Sequence, residues 1–300
     1  MIIKTDVVIV GTGAAGLYTA LNLPPTKQIL IITKRDADES DSFLAQGGIC
    51  MQRGEEDFAD FFEDTMRAGH YENNEKTVDL MIRSSNSIIR ELIRLGVEFT
   101  RDEQGNLDFT KEGAHSQPRI LYHEDITGRE ITSTLLDRVK ELPNVTLMEH
   151  TAMLDLVEEN NVCGGLVALS PKGDLFLIQA DHVVLACGGI GGLYRNSTNF
   201  AHISGDALAI AMHHGIELEH IDYVQIHPTT LYTKKKGRRF LISESVRGEG
   251  ALLFDKNMQR FTNELQPRDL VSQAIWKQME KDGLLALEMD SQRNMLIKML

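Results

Sequence analysis

Apolar and polar residues form short blocks along the first 34 residues, and their order predicts a strand, a helix and a second strand. The β-branched run at 5–10 predicts the first strand, and a glycine-rich turn at 11–16 leads into an amphipathic helix. A second apolar run at 28–33 predicts the strand that follows. This is the order of the βαβ unit that opens dinucleotide-binding domains, although a glycine-rich turn in an ordinary βα unit has the same outline.

Each glycine of the turn has a separate physical reason in such a unit. Gly11 permits the tight turn, and Gly13 has no Cβ, so that a pyrophosphate can approach the backbone. Gly16 allows the helix to pack closely on the strand. The helix N-terminus then directs N–H groups and a partial positive charge at the phosphates. The turn therefore predicts a nucleotide cofactor.

The end of the second strand leaves the type of nucleotide open. An acidic residue usually binds a ribose hydroxyl at this point, but Lys34 and Arg35 stand there instead. A basic residue here is compatible with the 2′-phosphate of NADP, with the adenosine half of FAD, or with a solvated strand end.

Apolar residues recur at helical spacing in several later segments. These are residues 57–70, 75–95, 130–142, 205–214 and 270–279. Gly69 and Gly96 are expected to end the first two of these helices.

Between residues 145 and 178 the pattern changes to short strand-like runs separated by turns. The runs are 145–149, 152–157, 165–169 and 175–178, with turn tips at 160–161 and 172–174. We interpret them as a small β-meander inserted before the strand at 181–189, which returns to a parallel sheet and ends in Gly188 and Gly189. We expect a first domain at 1–220 and a second at 221–300.

Composition narrows the class of protein. The formal charge of −13 argues against a nucleic-acid surface, and no segment approaches the ~18 apolar residues of a membrane helix. The first strand begins within a few residues of Met1, which leaves no room for a signal peptide. Cys50, Cys163 and Cys187 have no CxxC spacing, which favours reduced thiols in the cytoplasm and predicts no metal site.

Several polar residues stand where chemistry is plausible, although each has an ordinary structural explanation. One group combines imidazole or hydroxyl side chains with charge: Glu112, His115, His227, Ser243, Glu244 and Arg247. Burying Glu244 near Arg247 would be costly unless they were paired, and such a pair could pass a proton, whereas a surface salt bridge would contribute little. Arg268 has no structural role that the sequence explains. The Gly pair in residues 42–48 would let backbone approach a flat ring system.

Taken together, these motifs resemble the succinate dehydrogenase/fumarate reductase flavoprotein family. They are Gly11-Thr-Gly-Ala-Ala-Gly16, Ala45-Gln-Gly-Gly48, Gly128-Arg-Glu130, Ala186-Cys-Gly-Gly189, Ser204-Gly-Asp206, Gln225-Ile-His-Pro-Thr229, Arg247-Gly-Glu-Gly250 and Arg268-Asp269. The resemblance covers residues 3–283 and implies an α/β fold. That fold is a Rossmann-like FAD-binding domain with an inserted β-meander, followed by part of an α+β capping domain.

Two positions indicate a branch of the family. Membrane respiratory members attach FAD covalently through a His four residues before the position of Ala45, and Asp41 stands there, so the resemblance implies non-covalent FAD. Glu112 and His115 match the branch that oxidises L-aspartate. A carboxylate favours the α-ammonium that aspartate has and succinate lacks, and an unpaired buried ammonium would be costly.

The resemblance also implies roles for individual residues. FAD would be held by a set of mostly small residues: Gly11, Thr12, Gly13, Ala14, Ala15, Gly16, Lys34, Ser42, Ala45, Gln46, Gly47, Gly48, Ala152, Met153, Gly188, Gly189 and Asp206. His227 and Ser243 would bind a substrate carboxylate. Arg268 would be the proton donor and acceptor, with Glu244 and Arg247 as its relay.

The implied reaction is oxidation of L-aspartate to iminoaspartate by FAD, the first step of quinolinate and NAD synthesis. Oxygen or fumarate would reoxidise the flavin, and iminoaspartate would pass to quinolinate synthase or hydrolyse to oxaloacetate. A soluble fumarate reductase or succinate dehydrogenase subunit, and an inactive remnant, are the alternatives.

Members of this family continue for a few hundred residues after the position of Gly283. We therefore expect a truncated chain that lacks the return segment of its first domain and part of the capping domain, retains FAD poorly and exposes apolar surface. The tail at 284–300 departs from the family pattern and is predicted to form an amphipathic helix.

Overall fold

The computed structural model describes residues 1–231, 233, 236–283 and 296–298. Within them the strands are β1 (Ile2–Val10), β2 (Ile29–Ile32), β3 (Ile49–Cys50), β4 (Ile120–Leu121), β5 (Val145–Met148), β6 (Ala152–Glu159), β7 (Val162–Leu169), β8 (Leu175–Leu185), β9 (Leu252–Phe254) and β10 (Leu296–Lys298). The α-helices are α1 (Ala14–Asn22), α2 (Asp41–Leu44), α3 (Phe58–Ala68), α4 (Glu75–Leu95), α5 (Thr127–Lys140), α6 (Asp206–His213), α7 (Glu244–Gly248) and α8 (Arg268–Asp282).

The chain divides into two compact units. The first unit contains residues 1–45, 95–97 and 128–223, and the second contains residues 46–94, 98–127 and 224–300. This division differs from the predicted domains 1–220 and 221–300, because residues 46–94 and 98–127 pack in the second unit. Helices α3 and α4 share an apolar cluster of their own, and the order of elements along the chain does not reveal where such a cluster packs.

The first unit is built on a six-stranded sheet with the order β5-β2-β1-β8-β7-β6. The four strands β5, β2, β1 and β8 are parallel, and β7 and β6 continue the sheet in antiparallel order. Strand β2 is buried at all four positions, as is the second half of β1, which explains their continuous apolar sequences. The predicted α/β class is confirmed.

Strand β8 corrects the predicted meander. The runs 175–178 and 181–185 belong to one strand, which pairs with β1 from Leu177 to Leu185 and with β7 from Leu175 to Gln179. No glycine or proline interrupts residues 179–181. The strand therefore continues from the part that pairs with both β7 and β1 to the part that pairs with β1 alone. The run at 145–149 also lies outside the meander, since β5 pairs in parallel with β2.

Apolar side chains from both halves of the sheet and from α6 form the core of the first unit. They are Val8, Val10, Leu30, Ile32, Met153, Leu166, Ala168, Phe176, Ile178, Ala180 and Ile210. The hairpin tips are those predicted, since Asn160 and Asn161 have positive φ angles of 53° and 63°.

In its described residues, the second unit combines two short antiparallel sheets, β3 with β4 and β9 with β10, with four helices. Phe61, Met66, Val78 and Ile82 form the apolar contact between α3 and α4. Leu253 of β9 packs against Val271 and Ile275 of α8.

The helix predictions are confirmed with small changes of boundary. Helix α3 is preceded by a 3-10 turn at Glu55–Asp57 and capped by Gly69, and α5 begins at Thr127 rather than 130. Most of the tail at 284–300 lies outside the described residues. Where it is described, the helix prediction is wrong, because Leu296–Lys298 pair with β9 as a strand. No helix in the described part of the chain is both long and apolar enough to cross a bilayer.

Candidate functional site

A cavity of about 370 Å³ opens at the carboxyl ends of β1, β2 and β8 in the first unit. This is the edge of an open α/β sheet at which nucleotides bind. Of the residues predicted to hold a cofactor, nine line the cavity: Gly11, Thr12, Gly13, Ala15, Lys34, Ser42, Met153, Gly188 and Asp206. Sequence reasoning missed other lining residues, among them Glu39, Ser40 and His202.

The glycine turn has the close approaches that a nucleotide-binding unit requires. Gly11 has a φ of +113°, and a β-carbon there would lie 2.2 Å from the carbonyl oxygen of Ala186. A β-carbon at Gly16 would lie 2.2 Å from the carbonyl oxygen of Gly11, which holds α1 against the end of β1. The first turn of α1 has Gly13 as its N-cap and borders the cavity. Its backbone N–H groups are therefore placed to donate hydrogen bonds to an anion. These features fit the pyrophosphate of FAD.

Lys34 is held by partners from the protein itself. Its ammonium lies 2.7 Å from Asp206 and 3.2 Å from Ser204 Oγ, and it donates to the carbonyl oxygen of His202. Burial opposes ionisation of Asp206, but hydrogen bonds from Lys34 and Ser204 lower its pKa below the usual range. Because Asp206 already balances this charge, the contacts favour FAD over the 2′-phosphate of NADP.

The turn after β2 is tied to the cavity wall by Asp41 and Ser42. The carboxylate of Asp41 accepts hydrogen bonds from the Asn199 side chain and, at 3.0 Å, from the Phe200 amide. Ser42 Oγ accepts from the Ala14 amide at 3.0 Å. Asp41 therefore stabilises a loop of this chain.

The remaining predicted cofactor residues do not line this cavity. They are Ala14, Gly16, Ala45, Gln46, Gly47, Gly48, Ala152 and Gly189. A β-carbon at Gly48 would lie 2.2 Å from the carbonyl oxygen of Leu121, so its small size serves the pairing of β3 with β4. Gly47 lies against Glu112, with 3.2 Å between its ideal β-carbon and Glu112 Oε1.

The seven residues predicted to be catalytic all lie in the second unit. Glu244 is buried at the start of α7, accepts a hydrogen bond from Arg268 Nε and lies 3.5 Å from Arg247 Nη2. One carboxylate thus contacts two guanidinium groups, and Arg268 is the more exposed of the two at 38% against 2%.

The guanidinium of Arg247 has hydrogen-bonding capacity to spare. Its Nη1 donates to the carbonyl oxygen of Glu264 at 3.1 Å, whereas its buried Nε and Nη2 have no hydrogen-bond partner. Burial lowers the pKa of Arg247 and the charge of Arg268 adds to this effect, while Glu244 opposes it. A ligand carboxylate would satisfy these donors.

Glu112 is an acidic residue that interacts electrostatically with Glu244, Arg247 and Arg268. Its Oε1 is buried without a hydrogen-bond partner. Burial and the negative charge of Glu244 raise its pKa, while Arg268 and Arg247 oppose the rise. Such a carboxylate would gain from a cationic ligand group.

His227 and Ser243 complete the group. The pKa of His227 is lowered to about 4 by burial and by the positive charge of Arg268, so its imidazole is neutral near pH 7. Ser243 is buried and caps α7 by accepting from the Ser245 amide. Sequence reasoning missed Asp125, whose pKa is raised by burial and which is hydrogen-bonded to Ser243.

His115 lies in a different environment. Its Nδ1 is 3.2 Å from Arg119 Nη1, and its Nε2 is 3.8 Å from Cys50 Sγ. Sequence reasoning also missed Arg119, which has no exposed surface and binds Asp57 and Asp64 at 2.7 Å each.

Comparison with known proteins agrees with this geometry. The family described as FAD binding domain matches residues 6–296. L-aspartate oxidases from Clostridium perfringens and Clostridium acetobutylicum are 47% and 43% identical over 92% and 94% of the chain. The chain spans 63% and 65% of the length of these relatives.

Among solved structures, a quinol-fumarate reductase with menaquinol molecules superposes with a TM-score of 0.87 at 30% identity, over 94% of this chain and 52% of that one. The fold, the cofactor cavity and the sequence therefore agree, and FAD is the cofactor they indicate. The chain belongs to the FAD binding domain family and is similar along most of its length to L-aspartate oxidases.

Proposed function

We propose that this chain takes part in the FAD-dependent oxidation of L-aspartate to iminoaspartate. The observation that carries the proposal is the buried, unpartnered Oε1 of Glu112, in one unit with the array of Arg268, Glu244 and Arg247. A buried acceptor without a partner is costly unless a ligand supplies a donor. The ammonium of aspartate supplies one, and succinate has no equivalent group.

The cofactor is proposed to bind non-covalently in the cavity of the first unit. Residues 11–16 would receive the pyrophosphate through α1, and the ion pair of Lys34 and Asp206 would border the adenosine half. Gly188, Ala152 and Met153 are proposed neighbours of the same ligand, as are Gly189 and Ala45.

Two opposite charge requirements define the proposed substrate. The Nε and Nη2 donors of Arg247, with neutral His227 and Ser243, suit a carboxylate, while Glu112 suits an ammonium. An amino dicarboxylic acid carries both groups. His115 is proposed to support the loop that carries Glu112.

Bound FAD would supply a two-electron acceptor for the hydride that leaves the substrate Cα. The substrate nitrogen loses one proton as it becomes an iminium, so the protein must accept a proton. Arg268 donates a hydrogen bond to Glu244, and Glu244 lies 3.5 Å from Arg247 Nη2, so the three side chains adjoin one another. We assign this proton to Arg268, which must enter the step as a neutral guanidine after its own proton has passed to the relay of Glu244 and Arg247.

The wider role is part of the same proposal. Oxygen or fumarate would accept the electrons, and iminoaspartate would enter quinolinate and NAD synthesis through quinolinate synthase. The three free cysteines agree with a reducing compartment, which we propose to be the cytoplasm.

The test is an absorbance spectrum of the FAD-loaded chain during anaerobic addition of L-aspartate. We expect the flavin bands to bleach with aspartate and not with succinate. Glu112→Gln should lower the bleaching rate at limiting aspartate about 100-fold, because a neutral amide loses most of the attraction for an ammonium. Glu103→Gln, the same change at an exposed turn, is the matched control and should leave the rate unchanged.

Two results would contradict the proposal. Faster bleaching by succinate would indicate a succinate- or fumarate-specific flavoprotein, which the similarity to a quinol-fumarate reductase makes the second candidate. FAD binding with no bleaching by either dicarboxylate would identify a chain that is inactive by itself.

A further inference from the structure

Arg119 uses all five of its N–H donors in a buried cluster within the second unit. Nε and Nη2 donate to Asp57, with the shortest contact at 2.7 Å. Nη1 donates to Asp64 at 2.7 Å, and the second proton of Nη2 faces Ser116 Oγ at 3.4 Å. This leaves one proton on Nη1, and the atom that faces it is His115 Nδ1, at 3.2 Å.

This contact determines which nitrogen of His115 carries the proton. The guanidinium of Arg119 is paired with Asp57 and Asp64, which raise its pKa, so it stays charged and only donates. His115 Nδ1 must therefore present its lone pair, and the proton of the neutral ring lies on Nε2. Burial and the positive charge of Arg119 lower the pKa of His115, in agreement with a neutral ring near pH 7.

The same cluster anchors the backbone on both sides of His115. Asp64 Oδ2 accepts from the amide and the hydroxyl of Ser116, each at 2.6 Å. Arg67 bridges Asp64 Oδ1 at 2.6 Å and the carbonyl oxygen of Ala114 at 3.2 Å. Ala114 has a φ of +66°, a conformation that a non-glycine residue adopts only where its surroundings impose it.

We propose that Arg119 is a positioning residue that holds His115 as the neutral Nε2–H tautomer and fixes the loop carrying Glu112. His115 is then a hydrogen-bond donor through Nε2 and is not a general base. The statement about the tautomer is independent of substrate, whereas the effect on Glu112 rests on the proposed function. The amide of His115 bonds the carbonyl oxygen of Glu112 at 3.4 Å, which links the two residues directly.

The first test uses the unsubstituted, 15N-labelled chain without flavin or substrate. A long-range 1H–15N correlation distinguishes a pyrrole-like from a pyridine-like imidazole nitrogen, and His115→Gln assigns the signals by their loss. We expect Nδ1 to be pyridine-like and Nε2 to be pyrrole-like between pH 6 and 8. A pyrrole-like Nδ1, or an imidazolium at pH 7, would overturn the proposal whether or not the chain oxidises aspartate.

The second test compares Arg119→Lys with Arg83→Lys. A lysine keeps the charge but has three donors, which cannot serve both aspartates, Ser116 and His115. We expect the His115 signals to change to a mixture of tautomers and the KM for aspartate to rise about 10-fold, with a smaller change in kcat. Arg83 has an exposed ion pair with Asp79 at 2.9 Å, so its variant should match the unsubstituted chain.

An unchanged His115 spectrum in folded Arg119→Lys would refute the positioning role. If that variant does not fold, Ser116→Ala replaces it, because it removes one hydroxyl of the cluster and leaves the buried charges paired. It should broaden or shift the His115 signals, and unaltered signals would count against the proposal. An altered tautomer with no aspartate oxidation in any variant would leave the assignment of Arg119 intact and refute the proposed function alone.

Discussion

Gly113 lies so close to Glu244 that a β-carbon at this glycine would be 2.7 Å from Glu244 Oε1. The same β-carbon would lie 3.3 Å from the carbonyl oxygen of Leu265. Glu244 is buried and bound by Arg268, so it has little freedom to move away. The glycine between Glu112 and Ala114 is therefore a steric requirement of the array that we propose to transfer a proton.

Gly113→Ala should lower kcat for aspartate roughly 10- to 100-fold, because displacement of Glu244 alters its contact with Arg268. Flavin reduction in single-turnover mixing measures this effect. Gly164→Ala is the control, since a β-carbon there meets no atom within 4 Å. Equal rates for both variants would show that the close approach has no catalytic consequence.

The ion pair of Lys34 and Asp206 should couple these residues in a double-mutant cycle. Lys34→Met and Asp206→Asn are each expected to lower the free energy of unfolding of the flavin-free chain, with a coupling of about 0.5–1 kcal/mol because both groups are partly exposed. Urea denaturation measures the cycle. Additive effects would argue against a direct interaction.

The same pair predicts a pH dependence. The pKa of Asp206 is lowered in the folded chain, so its contribution is present above the unfolded value of about 3.9 and is lost as the pH falls through the folded value. The coupling should therefore be constant from pH 6 to 8 and decrease below pH 4. Coupling that grows stronger as the pH falls below 4 would contradict this assignment.

His227 should stay neutral throughout the physiological range. Its pKa of about 4 lies below the unfolded value of about 6.5, so the unfolded chain binds more protons between these values. The free energy of unfolding should consequently fall as the pH drops from 6.5 towards 4. His227→Gln should reduce the slope of free energy against pH by up to the equivalent of one bound proton, about 1.4 kcal/mol per pH unit. An NMR titration of His227 with a midpoint above pH 6 would contradict the prediction.

The core of the first unit allows a matched test of stability. Leu166 of β7 has no exposed surface, whereas Leu175 of β8 is 62% exposed. Leu166→Ala should lower the free energy of unfolding by about 2–5 kcal/mol through lost burial and a residual cavity. Leu175→Ala should change it by less than about 0.5 kcal/mol. Similar losses in urea denaturation would show that Leu166 is not packed as described.

Elements with a regular local period could be predicted from the sequence. The strand, turn and helix at 2–22 follow from β-branched residues and the spacing of glycines, and α3 and α4 end at Gly69 and Gly96 as expected. These features depend on interactions between near neighbours, which the order of residues specifies directly. Candidate residues such as Arg268 and Glu244 could be named for a similar reason, because each stands in a short motif.

Contacts between distant segments could not be predicted in this way. Arg119 meets Asp57 and Asp64 across 62 and 55 positions, and Ser243 meets Asp125, without a periodic signal at either end. The continuity of β8 likewise depends on which strands lie beside it. Burial decides these pairings, because a charged or polar group removed from water needs a partner in space, and only the folded chain brings that partner close.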